Sequence, residues 1–481
     1  MKLFNRTPKN NIDEQTQISE TKNNSLDKNL SKNGKQSGKI YDNATKNKKP
    51  PDKSSDKLPE KTLKVKDPNR QFKLRDLFSK ETLSKFKFRM PLGVTITVCA
   101  LPAVLTILFY ILRPSESAMH WVTVYVSAPI RGFLAGITSV YPFSVTEILI
   151  AVAIVWFFYY LIKTISVVKS KRNKLKVLSK RLLLVVTLAL YVWSGFCWLW
   201  ISGYHAPGFA DRYNFKREGV AIEDLITITQ HFADRANELA PQIQRHSNGS
   251  FAESRSALYA ASTGIYQNIA EEFPSLDGRL FRPKPMLFSW LMSRTGYAGM
   301  YFGLTGEANI NNMIHGAFLP GVLAHEHAHH LGIFSEDEAN FVAILACIKS
   351  DNIVFQYSGY LHGMGHFLRA LVEAEAYAAS HSPEAAAEIR AAREEILESL
   401  VFEVRLDRWE HAEFWRSQRT VDTGIGFVDT ALTAVNTVLR DTVDSVYDSF
   451  LRAQRQELGL RSYGACVDLL IEYFITRGII Q

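Results

Sequence analysis

The stretch LPGVLAHEHAHHLGIFSEDEANFVAILAC, residues 319–347, decides the reading of this chain. Pro320 suits the first turn of a helix and Gly332 can end one in a left-handed conformation, so the pattern predicts a helix over 320–331. His325 and His329 then stand four residues apart on one face, where two imidazoles can converge on a single Zn2+ ion. Glu326 borders that face, and a carboxylate there can take a proton from water that the metal activates. The bland alternative is a histidine-rich surface helix with no fixed metal, because a five-residue motif also arises by chance. Context favours the metal: apolar Val322, Leu323 and Ala324 precede the motif, and Leu331 and the helix-ending glycine follow it.

A catalytic zinc takes three protein ligands and keeps one position open. Glu338, in the segment EDEANFVA, is the expected third ligand, with Glu336 and Asp337 as fallbacks. Ser335 and Glu338 also match a capping box, which would turn the glutamate back onto its own helix and need no metal. Asn340 can orient a histidine from behind, or be an ordinary polar surface residue. His327 and His330 point away from the His325 and His329 face and read as solvent or supporting groups. The preceding stretch YAGMYFGLTGEANI, residues 297–310, reads as short strands able to bind an extended peptide, with structural packing as its equal rival. Glu307 is a further candidate for the site. Tyr357, Tyr360, His362, His366 and Tyr463 are candidate oxyanion donors among which spacing does not choose.

Further out, hydropathy divides the chain. Residues 1–70 are rich in Lys, Asn, Ser and Asp without apolar period, the composition of a disordered tail. Residues 71–203 form a membrane domain with three expected spans at about 91–112, 144–162 and 182–201. Buried core helices are the alternative reading. Trp121 to Ile137 is also apolar, but Pro129 and Arg131 interrupt it, so an interfacial or re-entrant helix is expected there. Basic residues before the first span and between the second and third, from Lys169 to Arg181, place both regions in the cytoplasm. The C-terminal part, 204–481, is then extracytoplasmic in the cell membrane, mainly helical, with amphipathic spacing over 221–245 and 253–272 and short strands and turns over 283–314. The net charge of +8 comes largely from basic clusters flanking apolar runs, a pattern that suits lipid and excludes a folded nucleic-acid-binding face. Four cysteines are too few for a disulfide scaffold, and Cys347 and Cys466 read as buried thiols, with a disulfide between them as the alternative in an exported domain.

These residues resemble known families. Gly332 matches the glycine of metzincins, but Ser335 stands where their histidine belongs, whereas EDEANFVA is similar to the glutamate-bearing second helix of gluzincin-type peptidases, with a shorter separation from His329. That likeness implies glutamate ligation by Glu338. Over roughly residues 90–475 the chain resembles the bacterial membrane-protein family catalogued as domain of unknown function 3810, through RPKPMLFSWLMS, TGEANIN, AHEHAHHLG joined to EDEANF, SDNIVFQYSGYL and SYGACVDLL. That resemblance implies a zincin-like domain and no settled substrate. The expectation is therefore a mainly α protein with three transmembrane helices and an extracytoplasmic zincin-like domain, a membrane-anchored zinc metallohydrolase cleaving peptide or protein substrates. Its rival is a non-enzymatic metal-binding envelope sensor or assembly protein.

Overall fold

A computed structural model of the chain describes residues 92–215, 221–454, 456 and 466–478. The tail expected over 1–70, the basic cluster before the first apolar run, and Tyr463 lie outside them. The described part is mainly helical, with one three-stranded sheet.

Two helices are long and apolar enough to cross a bilayer. One is Val145–Ser170; the other runs Lys174–Tyr204 and includes a π-helical segment, Cys197–Ile201. Both lie largely exposed, the reverse of a core helix in a water-soluble protein, whose apolar side chains are covered. A third helix, Leu92–Leu112, carries the shorter apolar run Ile96–Leu112. Tyr191 donates to the Val98 carbonyl at 2.9 Å and Trp198 Nε1 to the Leu105 carbonyl at 3.1 Å, so this helix runs beside the Lys174–Tyr204 helix in the same direction. The Val145–Ser170 helix runs the opposite way, because a linker of three residues, Lys171 to Asn173, joins it to the next.

The stretch Trp121 to Ile137, expected as an interfacial or re-entrant helix, lies within a helix over 116–138 with a π-helical middle, Thr123–Ser127. One face packs inward: Arg131 and Thr138 are buried, and Thr138 donates to the Thr305 carbonyl at 3.2 Å. The other face leaves Trp121, Tyr125, Phe133 and Ile137 exposed.

The sheet joins these helices to the rest. Strands β1 (Lys284–Pro285), β2 (Gly299–Phe302) and β3 (Glu307–Ile310) lie in the order β1-β3-β2, with β1 parallel and β2 antiparallel to β3. A helix, Ser289–Thr295, interrupts the stretch read as strands and turns. Glu307 extends from β3 to accept from the Val145 and Thr146 amides at 3.0 and 2.8 Å and from the Thr146 hydroxyl at 2.7 Å. Glu147 reaches the other way, accepting from the Leu287 and Phe288 amides at 2.9 and 2.8 Å. Glu307 thus ties the start of the long helix to β3 and Glu147 ties it to the segment after β1, a clasp of charge-assisted bonds. Glu307 therefore belongs to this clasp and not to the histidine cluster.

The amphipathic stretch 221–245 forms one helix, Ile222–Leu239, which buries Leu225, Ile228, Phe232 and Ala236 against the helix Ile353–Ala379. Each such large side chain contributes about 1.5–3 kcal/mol on burial. The stretch 253–272 is broken into Arg255–Ala261, a 3-10 turn and Gln267–Ala270. At the centre of this core lies the helix Leu319–His330, with Leu323, Ala324 and Ala328 fully covered. Cys347 and Cys466 are both buried, and the described residues contain no disulfide.

Candidate metal centre

The helix Leu319–His330 carries Pro320 in its first turn and ends at Gly332, whose φ of +91° a β-carbon would strain. The Ile333 amide donates back to the Ala328 carbonyl at 3.0 Å, closing a left-handed cap. This turn sets the Ile333 carbonyl 2.7 Å from His329 Nδ1. On the next helix, Glu336–Ile348, Asn340 Oδ1 lies 2.9 Å from His325 Nδ1. With each Nδ1–H donated to an oxygen behind it, each Nε2 presents its lone pair forward, the arrangement that a metal-binding histidine needs.

The atom between the two rings belongs to Glu336. Its Oε2 stands 3.2 Å from His325 Nε2 and 3.6 Å from His329 Nε2, and the three donor atoms lie within 4.8 Å of one another. Ligands about 2.1 Å from a tetrahedral zinc stand roughly 3.4 Å apart, so the spacing fits that ion. Tyr447, from the helix Gly426–Ala453, donates its hydroxyl to Glu336 Oε1 at 2.6 Å and fixes the carboxylate. Glu336 Oε2 is buried and makes no hydrogen bond of acceptable geometry, although both rings are at ion-pair distance. A buried carboxylate oxygen in that condition is costly unless a cation completes it.

Glu338, expected as the third ligand, faces elsewhere. Its two oxygens accept from the Phe209 and Ala210 amides at 2.8 and 2.9 Å, on the far side of its helix. The capping box does not form either: Ser335 makes no side-chain cap and instead donates to Asp337 and Gln456. Of the three acidic residues in this turn, the structure brings Glu336 to the histidines.

Glu326 is buried beside them, and its Oε2 has no hydrogen-bond partner. Burial pushes its carboxyl up to about 7, against the pull of His325 and His329. For His329 burial acts downward, but the Glu336 carboxylate outweighs it and raises the ring to about 9. Burial acts upward on Glu336, and the two rings nevertheless hold it well below the usual carboxylate range. The charges thus place a carboxylate against a proton where a metal cation would otherwise sit. His327 is buried in the core, 3.1 Å from Ser262 and pushed down to about 3 by burial, and is not a solvent group. His330 binds the Arg279 carbonyl.

A cavity of about 390 Å³ opens beside His325 and Glu326, with Gly296 to Gly299 on one wall and His362, His366 and Asp444 on another. Strand β2 is the sheet edge beside the helix. At Gly299 an added Cβ would stand 2.3 Å from Glu326 Oε1, so glycine is required for the strand to approach the carboxylate this closely. His362 and His366 reach this cavity. Tyr357 instead donates to Asp407 at 2.6 Å, and Tyr360 packs on Phe232. A second group, His315, Asp407 and Glu410, also lies within ligand distance, but both Asp407 oxygens are taken by Arg245 at 3.1 and 2.9 Å.

Sequence reasoning missed Tyr447, which no local signal connects to the motif, and ranked Glu336, the inward carboxylate, only as a fallback. The latter had a signal: on a helix, positions 336 and 340 share a face, while 338 is turned roughly 200° from 336. An Asn340 behind His325 therefore selects Glu336 and rejects Glu338.

A family model described as protein of unknown function (DUF3810) matches residues 123–471. The match spans more than half of the 481 residues, so the chain belongs to this family. Searches of curated proteins and of solved structures return no match.

Proposed function

We propose that this member of the DUF3810 family is an integral membrane zinc metallopeptidase, with His325, His329 and Glu336 as ligands and Glu326 as general base. The observation that carries the reading is the convergence of two back-bonded imidazoles and an unsatisfied buried carboxylate oxygen at tetrahedral spacing. Zinc held there supplies Lewis acidity to the scissile carbonyl and lowers the pKa of water towards neutrality. The protein's own groups do the rest. Glu326 accepts the proton of the attacking water at its carboxylate and returns it to the leaving amine. The open edge of β2 hydrogen-bonds an extended substrate backbone, and the cavity beyond Gly299 receives a side chain. His362 and His366 are the groups on the cavity wall able to donate to a developing oxyanion.

In this reading the Val145–Ser170 and Lys174–Tyr204 helices cross the cell membrane, and Leu92–Leu112 makes the third crossing. The helix over 116–138 lies along the interface. Support comes from the parallel run of the first and third helices beside an antiparallel second one, which puts the end at Leu112 and the start at Val145 on one side without a further crossing. The basic linker at Lys169 to Arg181 then faces the cytoplasm and the metal centre faces out.

The test is zinc content and peptide cleavage of the full chain in detergent, for wild type and Glu326→Gln. The expected result is about one zinc per chain in both and a loss of cleavage by roughly 10²–10⁴-fold in the variant. Absence of stoichiometric zinc, or undiminished cleavage by the variant, overturns the proposal. Biological activity retained in Glu326→Gln but lost in His325→Ala would favour the non-enzymatic sensor.

A further inference from the structure

A second cavity, about 1080 Å³, shares no lining residue with the first. It lies between the helix over 116–138, the segment after Gly203, the loop 274–281 and the turn at His330 to Phe334. Its volume is at the upper end for small-molecule sites. Val124, Phe133 and Ile137 line one side and Phe281, Leu331 and Phe334 another. The first three are exposed on a helix whose outer face also shows Trp121 and Tyr125.

Three arginines, Arg131, Arg212 and Arg279, line this apolar groove with one acidic residue, Asp277. Arg131 is only 1% exposed, yet its Nε and one terminal nitrogen have no hydrogen-bond partner. Its other terminal nitrogen reaches the Leu199 carbonyl at a long 3.4 Å, and the group lies 4.9 Å from the Phe334 ring centre. Arg279 is exposed at the rim and Arg212 is half-buried. Among the described residues none of the three is in an ion pair. A buried guanidinium held with unfilled donors is expensive unless an anion completes it, and planar forked donors match phosphate. His120 and His330 also line the groove, so its charge is cationic or neutral apart from Asp277.

We propose that this groove binds one anionic phospholipid of the surrounding leaflet. Its acyl chain lies along Val124, Phe133 and Ile137, and its phosphate is held by Arg131 with Arg212 and Arg279 towards the mouth. The proposal rests on the membrane reading above, because the exposed faces that flank the groove are those taken to meet the bilayer.

The full chain, purified in detergent, is examined by native mass spectrometry with phosphatidylglycerol, with phosphatidylcholine of the same acyl chains, and with inorganic phosphate. One phosphatidylglycerol retained per chain, preferred about tenfold over phosphatidylcholine, is the expected result. The double variant Arg212→Gln/Arg279→Gln should abolish that preference, since two basic residues at about fivefold each account for roughly 25-fold, and Arg131→Met should abolish it as well. Arg131 is buried and its variant can fail to fold, so the rim pair carries the test independently. Equal retention of the two lipids, unchanged preference in the rim variant, or displacement of lipid by millimolar phosphate overturns the proposal. Extraction of membranes with carbonate separates the two readings: release of the chain without detergent sinks the membrane reading itself, whereas a retained chain without headgroup preference sinks only the groove.

Discussion

Removing in turn two glutamates that stand two residues apart is the sharpest perturbation available. Glu336 and Glu338 are both buried at the start of one helix, yet they answer to different partners. Glu336→Ala removes one of three donors around a metal. Since loss of even an outer supporting group typically weakens metal binding 10–100-fold, the affinity of this variant should fall by at least about 100-fold. Glu338→Ala removes the acceptor of the Phe209 and Ala210 amides. Two hydrogen bonds to a charged group, at about 1.5–3 kcal/mol each, amount to roughly 3–6 kcal/mol of stability, or a fall of roughly 5–10 °C in thermal midpoint. Zinc per chain is measured by plasma mass spectrometry after dialysis against a graded chelator, and unfolding by a thermal melt with chelator in excess. Glu336→Ala should lose zinc at chelator levels that leave wild type loaded, and Glu338→Ala should retain about one zinc per folded chain while melting early. The reverse pattern, a folded Glu338→Ala chain stripped of metal beside a zinc-loaded Glu336→Ala chain, would refute the assignment and restore Glu338 as ligand.

Asn340→Ala should weaken zinc 10–100-fold in the same chelator titration, because it leaves His325 Nδ1 without its acceptor. Gly299→Val should keep zinc but reduce peptide cleavage by more than tenfold, since the new side chain drives Glu326 from its position; cleavage at the wild-type rate would show that Glu326 has room to move. Glu307→Ala should lower the thermal midpoint by several degrees without changing zinc content, as it strips three hydrogen bonds from the start of a long helix.

What was legible in the sequence was local. The spacing of His325, Glu326 and His329, the stop at Gly332 and the acidic start of the next helix are all consequences of 3.6 residues per turn, and they stand where periodicity put them. The edge strand before the helix was legible from a different period, the two-residue alternation of a strand, in its interleaved aromatics and glycines. The choice between Glu336 and Glu338 turned on a face, and a family likeness to a longer turn drew the reading to Glu338, whose oxygens accept from the Phe209 and Ala210 amides. Tyr447 and the carboxylate clasp of Glu147 and Glu307 lie more than a hundred residues from their partners. Nothing in a single sequence encodes such pairings, because they follow from packing and not from period.

Trp200 stands edge-on to the His329 ring, with centroids 5.6 Å apart, and it belongs to the π-helical end of an apolar helix long enough to cross a bilayer. A fragment cut just before residue 204 would therefore lose part of the wall behind His329. The apolar helix and the histidine cluster share side chains, so whatever solvates the one is felt at the back of the other.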